Sequence, residues 1–152
     1  MTVATALRFP SAAWFAALGE HMAADAAHFR KLGTMDAKVG IQVIADDTLP
    51  KTAGYLLTFE TYTLDRVEEV ERPESSGADF VLSAPYAVWK EMVDNIRANG
   101  EADLKHTLNY LHFGPLELIA INQVEADLFF RVNGSLQAFF DGVAVLEPGS
   151  SG

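Results

Sequence analysis

Residues 78–100, ADFVLSAPYAVWKEMVDNIRANG, contain a strand, a turn and a helix in one unbroken phrase. Ala78–Leu82 is short and apolar, as expected of a strand with at least one buried face. Ser83-Ala84-Pro85 changes the period. Proline fixes φ near the helical value and has no N–H to lose in a first turn, so Pro85 fits a helix opening, with Ser83 or Ala84 at the cap. Val88, Trp89, Met92, Val93 and Ile96 then recur at helical spacing as one apolar stripe. Lys90, Glu91, Asp94 and Arg97 fall largely outside it, and Gly100 supplies the stop.

Upstream, Phe9-Pro10-Ser11 opens a helix, with Ser11 as N-cap and Phe9 placed to fold back on it. Trp14, Phe15, Leu18 and Met22 mark its inner face. A shorter helix is predicted from Asp25 to Gly33, with Phe29 and Leu32 inward. Lys38–Ala45 turns to period two, and Asp46–Pro50 reads as a turn. Gly54–Leu64 is the longest strand candidate, with Tyr55, Leu57 and Phe59 on one face. Arg66–Glu71 reads as a charged edge strand and Arg72–Gly77 as a loop.

Downstream, Glu101–His112 predicts a helix with Leu104, Leu108 and Leu111 on one side. Leu116–Ile121 predicts a strand. Asn122 and Glu125 have capping-box spacing before a helix carrying Leu128, Phe129, Val132, Leu136, Phe139 and Phe140. Gly134 inside that helix predicts a close backbone approach or a kink. The segment 148–152 reads as a flexible tail. The fold class is therefore α+β, a single domain over 1–147, with a mostly antiparallel sheet covered by helices.

Composition narrows the function classes. The chain has 152 residues, 49% hydrophobic and 21% charged, a globular balance. Its net charge of −10 argues against nucleic acid or an anionic membrane as partner. There is no cysteine, so disulfides and thiolate sites are excluded. No secretory signal and no membrane-length apolar run is evident, so a soluble cytoplasmic protein without stable membrane insertion is expected. The histidine spacings fit no zinc motif, and no phosphate-binding or serine-hydrolase motif occurs, so no metal, cofactor or catalytic residue is assigned.

Phe9 to Leu18 (FPSAAWFAAL) and Ala78 to Gly100, together with the order of elements, resemble the sterol-carrier-protein-2-like (SCP2-like) domains. Leu116 to Phe140 looks like the closing strand and roofing helix of those domains. Two features depart from them: INQVEAD stands where a glycine-rich passage is usual, and the helix 101–112 is long. The resemblance implies a sheet of about five strands with helices enclosing an apolar cavity for a lipid, and it carries no catalytic residues.

Ten Phe, two Trp and four Met support the same reading, because such side chains line adaptable apolar sites. Val88, Trp89, Met92, Leu108, Phe130 and Phe139 are the expected walls for a fatty-acyl or sterol-like molecule, with Tyr62 or Tyr110 as polar anchors. Two alternatives stay open. One is an enzyme similar to the nuclear-transport-factor-2-like isomerases and cyclases, using Asp103 and His106, or Tyr110, which share a helical face. The other is a dimerisation or regulatory module whose interface, in a homodimer, is the aromatic C-terminal helix.

Overall fold

Ser11 and Phe9 set the start of the first helix. In the computed structural model, which describes residues 9–120 and 122–146, Ser11 Oγ accepts the amide of Trp14 at 3.1 Å. Phe9 folds back on Trp14 with ring centroids 4.5 Å apart. Helix α1 (Ala12–Ala24) buries Trp14, Phe15, Leu18 and Met22, the stripe its spacing predicts. Helix α2 (Ala26–Leu32) buries Phe29, but Leu32 is exposed, since the helix stops beside it at Gly33. The tail at 148–152 lies outside the described residues.

Five strands form one sheet: β1 (Ala37–Ile44), β2 (Ala53–Glu60), β3 (Thr63–Glu69), β4 (Phe80–Pro85) and β5 (Glu117–Ile119), in the order β3-β2-β1-β4-β5. Neighbours are antiparallel except β1 and β4, which run parallel. The sheet is mixed and mostly antiparallel. Alternation puts Val39, Ile41 and Val43, Tyr55, Leu57 and Phe59, and Phe80, Leu82 and Ala84 on one buried face.

The opposite face is covered at its centre by the loop after β3, where a 3-10 turn at Pro73–Ser75 buries Pro73. Gly40 and Gly54 make that approach possible. A Cβ on Gly40 would lie 2.9 Å from the Pro73 Cβ, and one on Gly54 would lie 2.5 Å from the Val70 carbonyl oxygen.

The predicted single strand from Gly54 to Leu64 is two strands. Thr61 has φ +57 and turns the chain there. Its amide donates to Asp36 Oδ1 at 2.9 Å and its carbonyl accepts from Met35 at 2.7 Å. The turn is pinned from outside the hairpin, which periodicity cannot register.

β4 likewise extends past its predicted end. Pairing with β1 continues to Ile44↔Pro85 and holds Ser83 and Ala84 extended, so neither caps a helix. The Ser83 hydroxyl instead donates to Gln42 Oε1 at 3.1 Å. Helix α3 (Tyr86–Asn99) starts after Pro85, and Asp46 Oδ2 accepts the amide of Ala87 at 2.9 Å. Trp89, Met92, Val93 and Ile96 are its buried stripe, and Gly100 closes it with φ +86.

The predicted helix 101–112 breaks into a 3-10 turn at Leu104–His106 and a short α4 (Leu108–Leu111). Asp103 and Thr107 are extended, and each caps the turn after it: Asp103 accepts from Lys105 and Thr107 from Tyr110. Leu108 and Leu111 are buried, whereas Leu104 is 79% exposed, so the three leucines do not share a face. α5 (Gln123–Asp141) is capped by Asn122, whose Oδ1 accepts the Glu125 amide at 3.0 Å. The close approach expected at Gly134 is absent: a Cβ there would have no neighbour within 4 Å.

Candidate functional site

The buried face of the sheet and the stripes of α1, α3 and α5 enclose a layer built almost wholly from aromatic and aliphatic side chains. Phe15 of α1 lies 5.0 Å from Tyr55 of β2, Phe139 of α5 lies 5.1 Å from Phe59, and Phe129 lies 5.6 Å from Phe80. Trp89 stacks on Phe140 at 5.8 Å, tying α3 to α5. Ser83 and Ser135 are the buried polar residues of the described chain apart from the indole and tyrosine groups. Burial, then the nearby charge of Glu69, pushes the Tyr55 phenol up to about 12. The layer favours uncharged groups.

Of the residues expected to line a cavity, Trp89, Met92, Leu108 and Phe139 are fully buried in this layer, and Val88 packs against it half-buried. Phe130 is 49% exposed and Tyr110 is 48% exposed, so both lie at the surface. Tyr62 sits in the β2–β3 turn, half-buried, with the Arg30 guanidinium 5.5 Å from its ring centroid. Phe15, Tyr55, Phe59 and Phe140 belong to the same layer. Their alternation and helical spacing mark them as core, but only the register of β2 against β1 and the seating of α5 bring them face to face.

Two indoles occupy the layer, and they differ. Trp89 Nε1 donates to the Gln42 carbonyl at 3.1 Å. Trp14 is fully buried, and its Nε1 has no hydrogen-bond partner among the described residues. An unpaired buried donor of this kind costs about 1–3 kcal/mol.

The segment between Gly100 and Gly114 covers one end of the layer and is fastened by polar contacts. Asp141 Oδ1 accepts the Ala102 amide at 3.2 Å and the Gln137 side-chain amide at 3.0 Å. Gln137 Oε1 accepts the Leu108 amide at 2.7 Å. Burial holds the Asp141 carboxyl above its ordinary range, against those hydrogen bonds. On the outside, His106 bridges Asp103 at 2.7 Å and Glu91 at 3.0 Å. Asp103, ahead of Glu91, raises the His106 pKa above its ordinary value, which favours the charged ring.

An imidazole with both ring nitrogens engaged by exposed carboxylates has no free nitrogen to act as a general base, and it lies beside α3. The trio is a surface clamp. Among the described residues no group of three His, Cys, Asp or Glu side chains could hold a metal ion. No described helix is long and apolar enough to cross a membrane.

An open groove of about 500 Å³ runs between α1 and β3, lined by Ala16, Gly19, Ala23, Leu64 and Val67 with Arg66 beside them. That volume lies within the range of small-ligand sites. The lining pairs the small residues of α1 with the edge strand of the sheet.

Solved structures share this architecture. A crystal structure of sterol carrier protein 2 matches with a TM-score of 0.66 at 19% identity, over 92% of this chain and 100% of the other. The solution structure of a conserved hypothetical protein from Thermus thermophilus, a suggested sterol carrier protein, matches with a TM-score of 0.68 at 21% identity, over 98% and 97% of the two chains. The apo form of sterol carrier protein 2 from Yarrowia lipolytica matches with a TM-score of 0.50 at 13% identity, over 95% and 98%. No protein-family model and no curated protein matches the chain. The fold is SCP2-like, as the strand–helix phrase and the FPSAAWFAAL segment imply.

Proposed function

We propose that this protein binds a lipid-like apolar molecule between the sheet and its helices, and carries it without chemistry. The observation that supports this best is the interlayer itself, where Phe59 packs on Phe139 and Trp89 on Phe140 in nearly polar-free surroundings. The SCP2-like fold adds the class, since the proteins that share it include sterol carrier protein 2. Trp89, Met92, Leu108 and Phe139 are the proposed walls, with Val88 at their margin. Phe130, Tyr110 and Tyr62 are placed at the periphery.

Burying the ligand supplies the driving force, about 25 cal/mol per Å² of apolar surface before the costs of association. Methionine is an adaptable filler, and Met92 among the proposed walls suits a layer that closes when empty. The α1–β3 groove, of ligand-like volume, is the proposed approach along the edge strand. The segment between Gly100 and Gly114 gives a second, because its fastenings to Gln137 and Asp141 are polar and separable.

Native mass spectrometry of the purified protein, followed by organic extraction, tests the reading. A near-stoichiometric acyl or sterol-like adduct is the expected result. A clean apo mass, with no uptake of an added fluorescent fatty-acyl probe, overturns it.

A further inference from the structure

We infer that the indole N–H of Trp14 is the donor that recognises the polar end of the ligand, and that this end is a neutral oxygen acceptor: an alcohol or an ester, not a carboxylate. The inference rests on the proposed interlayer binding and adds to it the chemical class of the head group.

Trp14 is fully buried, and its Nε1 has no partner among the described residues. The fold does satisfy the other indole, since Trp89 Nε1 reaches the Gln42 carbonyl. A donor left over in a core where its counterpart is paired marks a place for an acceptor supplied from outside. Trp14 stands in the first turn of α1, beside the half-buried rings that precede that helix and open α3. Phe9 packs on Trp14 at 4.5 Å and stacks on Tyr86 at 6.1 Å, and both Phe9 and Tyr86 are only half-buried. Phe9 belongs to no strand, so moving its ring breaks no strand pairing.

The surroundings select the charge of the head group. The rings within reach of Trp14 are Phe9, Phe15 and Phe140, with centroids 4.5, 5.0 and 6.5 Å away. None of them compensates a buried anion, which such a site excludes unless a cation accompanies it. The net charge of −10 opposes an anionic ligand at longer range as well. One neutral N–H facing one neutral oxygen is the match that remains.

The test uses the two indoles as site and internal control. In the full ¹⁵N-labelled chain, which has two tryptophans, hexadecan-1-ol should move the Trp14 indole proton downfield and leave that of Trp89 in place. Hexadecane should bind without the downfield move. In Trp14→Phe the dissociation constant for hexadecan-1-ol should rise about fivefold more than that for hexadecane, the size of one neutral hydrogen bond. Palmitate should bind the wild type more weakly than hexadecan-1-ol at neutral pH.

Hexadecan-1-ol bound by native mass spectrometry with the Trp14 indole unmoved overturns the anchor and leaves the carrier reading intact. Palmitate binding more tightly than the alcohol overturns the neutral head group. Failure of all three probes to bind overturns both readings. The wild-type spectra decide the matter even where Trp14→Phe fails to fold.

Discussion

Asp46 lies 41 residues before Ala87, yet its carboxylate accepts the Ala87 amide at 2.9 Å. The turn after β1 thereby caps α3, which has no side-chain cap of its own because Pro85 stands at that position. The same carboxylate accepts the amides of Thr48 and Leu49.

These bonds hold the Asp46 pKa below its ordinary 3.8, the Leu49 amide contributing most, then Thr48 and, after an opposing effect of burial, Ala87. Because the folded value is lowered, the stabilisation is intact above 3.8 and is lost as pH falls through the folded value. Asp46→Ala should lower the Tm by a few degrees at pH 7, and the gap to wild type should close toward pH 2. Thermal melts across that range check it. A gap that persists in acid assigns the loss to something other than the carboxylate.

The His106 clamp has the opposite sign. Asp103 and Glu91 raise the His106 pKa above 6.5, so its contribution is complete below 6.5 and fades as pH rises through the folded value. His106→Gln should therefore cost more stability at pH 6 than at pH 9. In the wild type, amide hydrogen exchange, corrected for intrinsic rate, should speed up at the higher pH across residues 101–113 ahead of β1. Uniform exchange behaviour in both segments would show that the clamp does not hold this part of the chain.

Gly134 and Gly54 should respond to alanine in opposite ways. Gly134 is in a helix with open space where a Cβ would go, so Gly134→Ala should stabilise by about 1 kcal/mol, or ~3 °C in Tm. At Gly54 a Cβ would meet the Val70 carbonyl at 2.5 Å and Pro73 at 2.9 Å, so Gly54→Ala should destabilise by about 2 kcal/mol or more. Urea unfolding of both variants measures the contrast. Loss of stability in Gly134→Ala would reveal packing against that face of α5.

Much of the architecture is written locally. The stripe of Trp89, Met92, Val93 and Ile96, the alternation of Val39, Ile41 and Val43, and the caps at Ser11 and Asn122 depend on near neighbours, and each forms where its spacing places it. The elements that depart from their local pattern share another property. The β2–β3 turn is pinned by Asp36, the end of β4 by pairing with β1, and the start of α3 by Asp46. The helix expected at 101–112 is divided by caps at Asp103 and Thr107, whose side chains compete for the backbone where local propensity favours continuation.

The same division applies to the candidate site. Composition and periodicity by themselves determine that large apolar side chains fill the interior, because burying them needs only a face of the right period. Which rings meet is decided by tertiary structure, through the register of β2 on β1 and the seating of α5. That seating leaves Phe130 and Tyr110 outside and brings Phe59 against Phe139. The two indoles show the reason most directly. Both sit on apolar helical stripes, but whether a donor finds an acceptor depends on which backbone lies opposite: a β1 carbonyl for Trp89, and none among the described residues for Trp14.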